Sequence, residues 1–185
     1  MIGLVERHLH ACERFSHIVA QAEGRWERRS PCPGWDARAV VEHVIGFHDV
    51  LLLRPLEAKP HRPKEDPVER WAVTLAAMDS ALRSIAEDPH PPVRDMAIPD
   101  LGRLLPVLTA EVLVHSWDLA LAIGVDSNLD PDLCEVALAF VLPSDQQLRD
   151  SGMFGPSISV PDDADPVTKL VAYMGRDPSW SGPQA

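Results

Sequence analysis

The chain is short of several things, and each scarcity excludes something. Its three cysteines, Cys12, Cys32 and Cys134, are odd in number and widely spaced. That argues against a disulfide framework and for a reducing compartment. Only 17 basic residues stand against 28 acidic ones, a formal charge of −11. Nucleic acid is therefore not an expected partner, because phosphate binding needs a basic face. An anionic membrane surface is excluded on the same ground. No apolar run approaches the roughly 20 residues of a membrane span. The opening MIGLVERHLHACERF lacks the uninterrupted apolar core of a signal peptide. A cytoplasmic location is the expectation. Strand signals are few, and there is no repeat or low-complexity tract.

What is present is helical periodicity. The 185 residues suffice for one domain, 1–185, with a sizeable core. Leu4, His8, Ala11, Cys12, Phe15, Ile18 and Val19 mark a helix over 2–22. After the turn-rich RRSPCPGWD, Asp36 is a good N-cap for a second helix running towards Leu53, where Pro55 discourages continuation. Val68, Trp71, Leu75, Met78, Leu82 and Ile85 mark a third helix. A crossover over 87–102 follows. The spacing predicts a fourth helix over 103–123 stopped by Gly124, a fifth over 131–147, then an extended segment and a short helix over 165–174. The proline-rich loop after Arg54 and the crossover around 89–99 are candidate borders for a pocket. The expected architecture is an all-α, four-helix bundle with additional short helices and an extended C-terminal segment.

The fourth helix carries the chemistry. In AEVLVHSWDLALAIG, Glu111, His115 and Asp118 interrupt a helix that is otherwise apolar around its circumference. At about 100° per residue, all three leave one face. A helix apolar all round is normally buried, and a buried carboxylate needs a partner: a proton, an Arg or a metal ion. Glu and His one turn apart can both point at one cation, and helix bundles build metal sites from inward-facing side chains of several helices. On the second helix, His43 sits among Ala39, Val40, Val44 and Phe47, which gives it core-like surroundings. His48 lies roughly 140° away around that helix, so the two do not readily serve one metal. Asp118 is placed to fix an imidazole or hold an Arg. A buried polar network without metal explains the same residues. His8 reads as structural. His10, His17, His61 and His90 have no assigned role, and Cys32 reads as an exposed thiol.

Three segments, SPCPGWDARAVVEHVIGF, LTAEVLVHSWDLALAIG and FGPSISVPDDADPVTKLVAYMGRDPSW, occur in that order. Together they resemble the DinB-like metal-binding family related to the N-terminal domain of mycothiol-dependent maleylpyruvate isomerase. The resemblance covers nearly the whole chain. It implies a DinB-like bundle and a divalent metal, zinc first, with nickel or another transition metal as the alternative. Its ligands would be His43 on the second helix and Glu111 and His115 on a later one, with Asp118 behind them. It also implies a small-molecule thiol, of mycothiol or bacillithiol type, and an electrophilic substrate. The isomerase has a further C-terminal domain that this chain lacks after GRDPSW, so maleylpyruvate itself is not carried over. The expected function is metal-dependent thiol transfer or isomerase-like chemistry. The alternatives are a metal-dependent hydrolase and a non-catalytic metal- or ligand-binding bundle. The oligomeric state is left open, a homodimer included.

Overall fold

The structure is a computed structural model that describes residues 2–87, 100–150, 152 and 154–182. His90 and most of the crossover, the 89–99 stretch included, lie outside the described residues. The protein is all-α and DinB-like, with seven α-helices and no strand among the described residues: α1 (Ile2–Val19), α2 (Ala37–His48), α3 (Pro67–Glu87), α4 (Leu101–Ile123), α5 (Pro131–Val141), α6 (Asp145–Asp150) and α7 (Pro166–Tyr173).

Four long helices form the bundle. α1 packs on α3 and α4, and α2 packs on the same two; α5 then covers α4 and carries α7. The apolar stripe of α1 buries Val5, Leu9, Cys12, Phe15 and Val19. Against it α3 presents Trp71, Met78 and Leu82. Phe15 meets Trp71 edge-on at 4.9 Å, and the Trp71 Nε1–H donates to Ser16 Oγ at 2.7 Å. The ring thus buries its apolar body while its one polar atom stays satisfied.

The element ends follow local chemistry. Asp36 caps α2, its carboxylate accepting from the Ala39 amide at 2.8 Å. α2 ends as a regular helix at His48, and one wide π-helical turn, Asp49–Leu53, carries the chain to Arg54. The loop beyond is pinned back: Arg62 donates to Asp49 at 2.9 Å and to Thr74 at 2.6 Å. Gly124 stops α4 with φ 73°, a left-handed conformation that a Cβ would strain.

Two expectations need correction. The single helix over 131–147 is two helices, α5 and α6, joined by a 3₁₀ turn at Leu142–Ser144. Pro143 supplies the reason, since it lacks an amide hydrogen and crowds the preceding turn. In addition, α4 is by length and composition apolar enough to cross a bilayer. Yet 83% of its most apolar window is buried inside the protein. That is the behaviour of a core helix, and it is why α4 can be apolar on every side.

Candidate metal centre

α2 and α4 lie side by side, and their contact brings His43 to Glu111 and His115. Glu111 Oε2 stands 3.3 Å from His115 Nε2 and 3.8 Å from His43 Nε2. All three donor atoms lie within 4.8 Å of one another. Metal bonds of about 2.0–2.2 Å hold nitrogen and oxygen ligands roughly 3.2–3.6 Å apart, so the set fits one small divalent ion after a slight closure. Two imidazoles and a carboxylate are ordinary donors for zinc and its neighbours. Trp35 packs on both imidazoles, 4.6 Å from His43 and 5.8 Å from His115 between ring centres. Phe47 also stacks on His43, at 5.5 Å.

Behind this face lies a second layer. The His115 Nδ1–H donates to Asp118 Oδ2 at 2.9 Å, which aims Nε2 at Glu111 and His43. Asp118 is fully buried, and it also accepts from Arg176 Nη2 at 2.9 Å and from the Cys32 thiol at 3.1 Å. Arg176 Nη2 donates in turn to Cys32 Sγ at 3.1 Å, and its Nη1 to the Met174 carbonyl at 2.9 Å. Asp118 thus both fixes an imidazole and holds an Arg.

The electrostatics of the metal-free site follow from these contacts. Burial alone would raise the Glu111 carboxyl, but hydrogen bonds from His115 and His43 pull it down to about 2. Burial likewise opposes a charged His115, yet its bonds to Asp118, Cys32 and Glu111 raise it well above its ordinary value. Asp118 is pushed up by burial and brought below the usual carboxylate range by His115 and Arg176. Without an ion, a proton on His115 therefore holds the two carboxylates together.

Of the sequence candidates, His43, Glu111, His115 and Asp118 come together in one centre. His48 does not join them. The expectation that His43 is the more core-like of the two is reversed: the His43 side chain is 32% exposed, whereas His48 is 1% exposed. His43 faces the open side of the α2–α4 contact, and His48 turns inward towards α1. Cys32 is buried rather than exposed, held against Asp118 and Arg176. All three cysteines are free thiols. Arg176 and Trp35 are contributors that spacing did not single out. Both lie in motifs, GRDPSW and PGW, whose turn residues offered the only signal.

Fold and site together define a class: a helical bundle whose paired helices gather donors for a metal ion, with a buried carboxylate orienting one of them. Residues 8–120 match the mycothiol maleylpyruvate isomerase N-terminal domain, and the chain belongs to that family. His43, Glu111, His115 and Asp118 all fall inside the matched span, and Arg176 falls outside it. The chain is also similar to two proteins of Mycobacterium tuberculosis, at 28% identity over 177 residues. They are uncharacterized protein MT0763 of strain CDC 1551 / Oshkosh and uncharacterized protein Rv0738 of strain ATCC 25618 / H37Rv. The alignments cover 91% of this chain and 95% of each relative. No solved structure matches the chain significantly.

Proposed function

We propose that this chain is a single-domain, cytoplasmic, metal-dependent enzyme that uses a low-molecular-weight thiol for S-transfer or isomerase-like chemistry. His43, Glu111 and His115 would hold one divalent ion, zinc first. The observation that carries this reading is the convergence of the His43, Glu111 and His115 donors within 4.8 Å of one another, beside a His43 side chain that is 32% exposed. A bound ion would supply Lewis acidity there, lowering the pKa of a thiol that reaches it.

The chain's own groups do the rest. Asp118 fixes the His115 tautomer, and Arg176 balances the Asp118 charge, so that Glu111 alone offsets the ion. The centre is then net positive within a chain of charge −11, which favours an anionic thiolate over a neutral ligand. Trp35 and Phe47 both pack on the His43 ring and hold it in place. A groove lined by Arg29, Ser30, Cys32, Gly34, Trp35 and Trp180 shares two residues with the centre. Arg29 is exposed there and suits a carboxylate on the thiol or its electrophile. None of the residues lining this groove comes from the loop after Arg54. The reaction class is addition of the thiol sulfur to an electrophilic carbon: the thiol proton leaves to solvent, the sulfur–carbon bond forms as a π bond at that carbon breaks, and the displaced electron pair takes up a proton from solvent.

Cobalt-substituted protein titrated with mycothiol or bacillithiol tests the reading. A shift of the visible cobalt bands and a calorimetric binding signal are expected, both lost in His115→Ala. If saturating thiol changes neither, the thiol reading fails.

A further inference from the structure

A second cluster lies inside the bundle, away from the centre above and sharing no residue with it. His8 and Cys12 stand one turn apart on α1, and His48 reaches them from the end of α2. None is more than 1% exposed. Cys12 Sγ is 3.6 Å from His8 Nε2, and His48 Nε2 is 3.3 Å from His8 Nε2. The three donor atoms lie within 4.8 Å of one another.

The hydrogen bonds around the rings decide their tautomers. His48 Nδ1 sits 2.6 Å from the Val44 carbonyl, which can only accept, so Nδ1 carries the proton and Nε2 is a bare lone pair. The Thr109 hydroxyl donates to the Leu105 carbonyl at 2.7 Å. It can therefore only accept from His8 Nδ1, which stands 3.2 Å away. His8 Nε2 is then a bare lone pair as well. Two lone pairs face each other across 3.3 Å, beside a thiol that has one proton to give.

A shared proton is a poor remedy. It would bury an imidazolium, and among the described residues neither His8 nor His48 makes an ion pair with a carboxylate. Asp49, next to His48 in the chain, is taken by Arg62 and Lys59. A bridging water does not fit either, because two acceptors sharing one water stand roughly 4.5 Å apart. A metal ion fits. Bonds of about 2.0 Å to nitrogen and about 2.3 Å to sulfur place tetrahedral donors roughly 3.3 Å (N to N) and 3.6 Å (N to S) apart. Acceptors behind each Nδ1–H are the usual support of a metal-binding imidazole.

We propose that His8, Cys12 and His48 form a second, closed metal site for a thiophilic d¹⁰ ion, zinc or cuprous copper. Binding expels the Cys12 thiol proton to solvent and leaves one thiolate and two neutral imidazoles around the ion. With copper(I) the site is neutral, and with zinc it carries one positive charge. Burial without a counter-charge favours the neutral case. The site is closed, and its role is to tie α1 to α2.

Metal stripping and anaerobic reloading of the untagged wild-type chain test this. Cobalt(II), zinc(II) and bicinchoninate-buffered copper(I) are the probes. One equivalent of copper(I) is expected, lost in Cys12→Ser and kept in His115→Ala; where the site also takes a divalent ion, the wild type binds two equivalents of cobalt against one in either variant. That second cobalt would show a thiolate charge-transfer band with no thiol added. That band disappears in Cys12→Ser and persists in Cys32→Ser and His115→Ala. X-ray absorption on the wild type needs no variant and should show a sulfur ligand at about 2.3 Å. A sulfur ligand with copper(I) alone identifies the cuprous site, and one with zinc or cobalt the divalent site. If no probe gains a sulfur ligand, or if the band follows Cys32 instead of Cys12, the proposal is overturned. Because His115→Ala removes only the first centre, the two readings fail separately.

Discussion

His115 and His48 are both buried imidazoles in one bundle, and their surroundings drive them in opposite directions. His115 lies between Glu111 and Asp118, with Arg176 beyond, and is raised well above its ordinary value despite burial. His48 meets burial first and foremost, with a carbonyl as its hydrogen-bond partner, and is lowered to about 4. His8 is held well below its ordinary value by burial and by the neighbouring His48. The first cluster is ionic and partly open, the second neutral and closed. Residue type is shared; the charge state is set by whether a carboxylate stands at hydrogen-bond distance.

The largest test of this contrast removes the carboxylate that anchors the ionic side. Asp118→Ala leaves Arg176 and a charged His115 without their buried partner and should lower stability by about 3–5 kcal/mol in urea unfolding. The neutral side is tested by pH. In metal-free protein, His48 stays neutral when folded down to about pH 4 but takes a proton when unfolded below its ordinary 6.5. Its contribution is therefore fully present above 6.5 and lost as the pH falls. About 3 kcal/mol should go between pH 6.5 and 4, and His48→Gln should flatten that slope. His115, with its raised value, has the opposite sign: its share is complete below 6.5 and disappears as the pH climbs through the raised value.

Two smaller effects sharpen the comparison. Asp118→Asn keeps the shape but not the charge, and should weaken metal binding at His43, Glu111 and His115 by about 10–100-fold in a chelator competition. Binding at His8, Cys12 and His48 should not change. Asp36→Ala removes the cap of the helix that bears both His43 and His48. It should cost about 1 kcal/mol in thermal or urea unfolding and weaken both clusters to a similar degree. A change confined to one cluster would show that α2 does not couple them.

The ionic stripe was legible because it is local. Glu111, His115 and Asp118 recur along one helix face, and the apolar surroundings of α4 announced its burial. The partner across the helix pair was legible only in part: its apolar neighbours made His43 the candidate over His48, although His48 is the more buried of the two. Which face of α2 meets α4 is a packing outcome, so the resemblance to the family, not periodicity, supplied the pairing of His43 with Glu111 and His115. His8 and Cys12 at one-turn spacing carried a readable hint, but their meaning depends on His48 arriving from α2. Arg176 carried only the signal of its GRDPSW motif, and its partner could not be read because the contact spans 58 positions of the chain. The break at Pro143 was written in the sequence and overridden by the apolar run around it.

The Arg176 contact has a consequence for the order in which the molecule is made. Asp118 leaves the ribosome 58 residues before the guanidinium that neutralises it. Until then a nascent bundle of α1–α4 carries a carboxylate at its core with no permanent positive charge beside it. Arrival of the segment just after α7 works as a late-closing latch: the clamp on the carboxylate that aims the imidazole is the last part of the centre to be made.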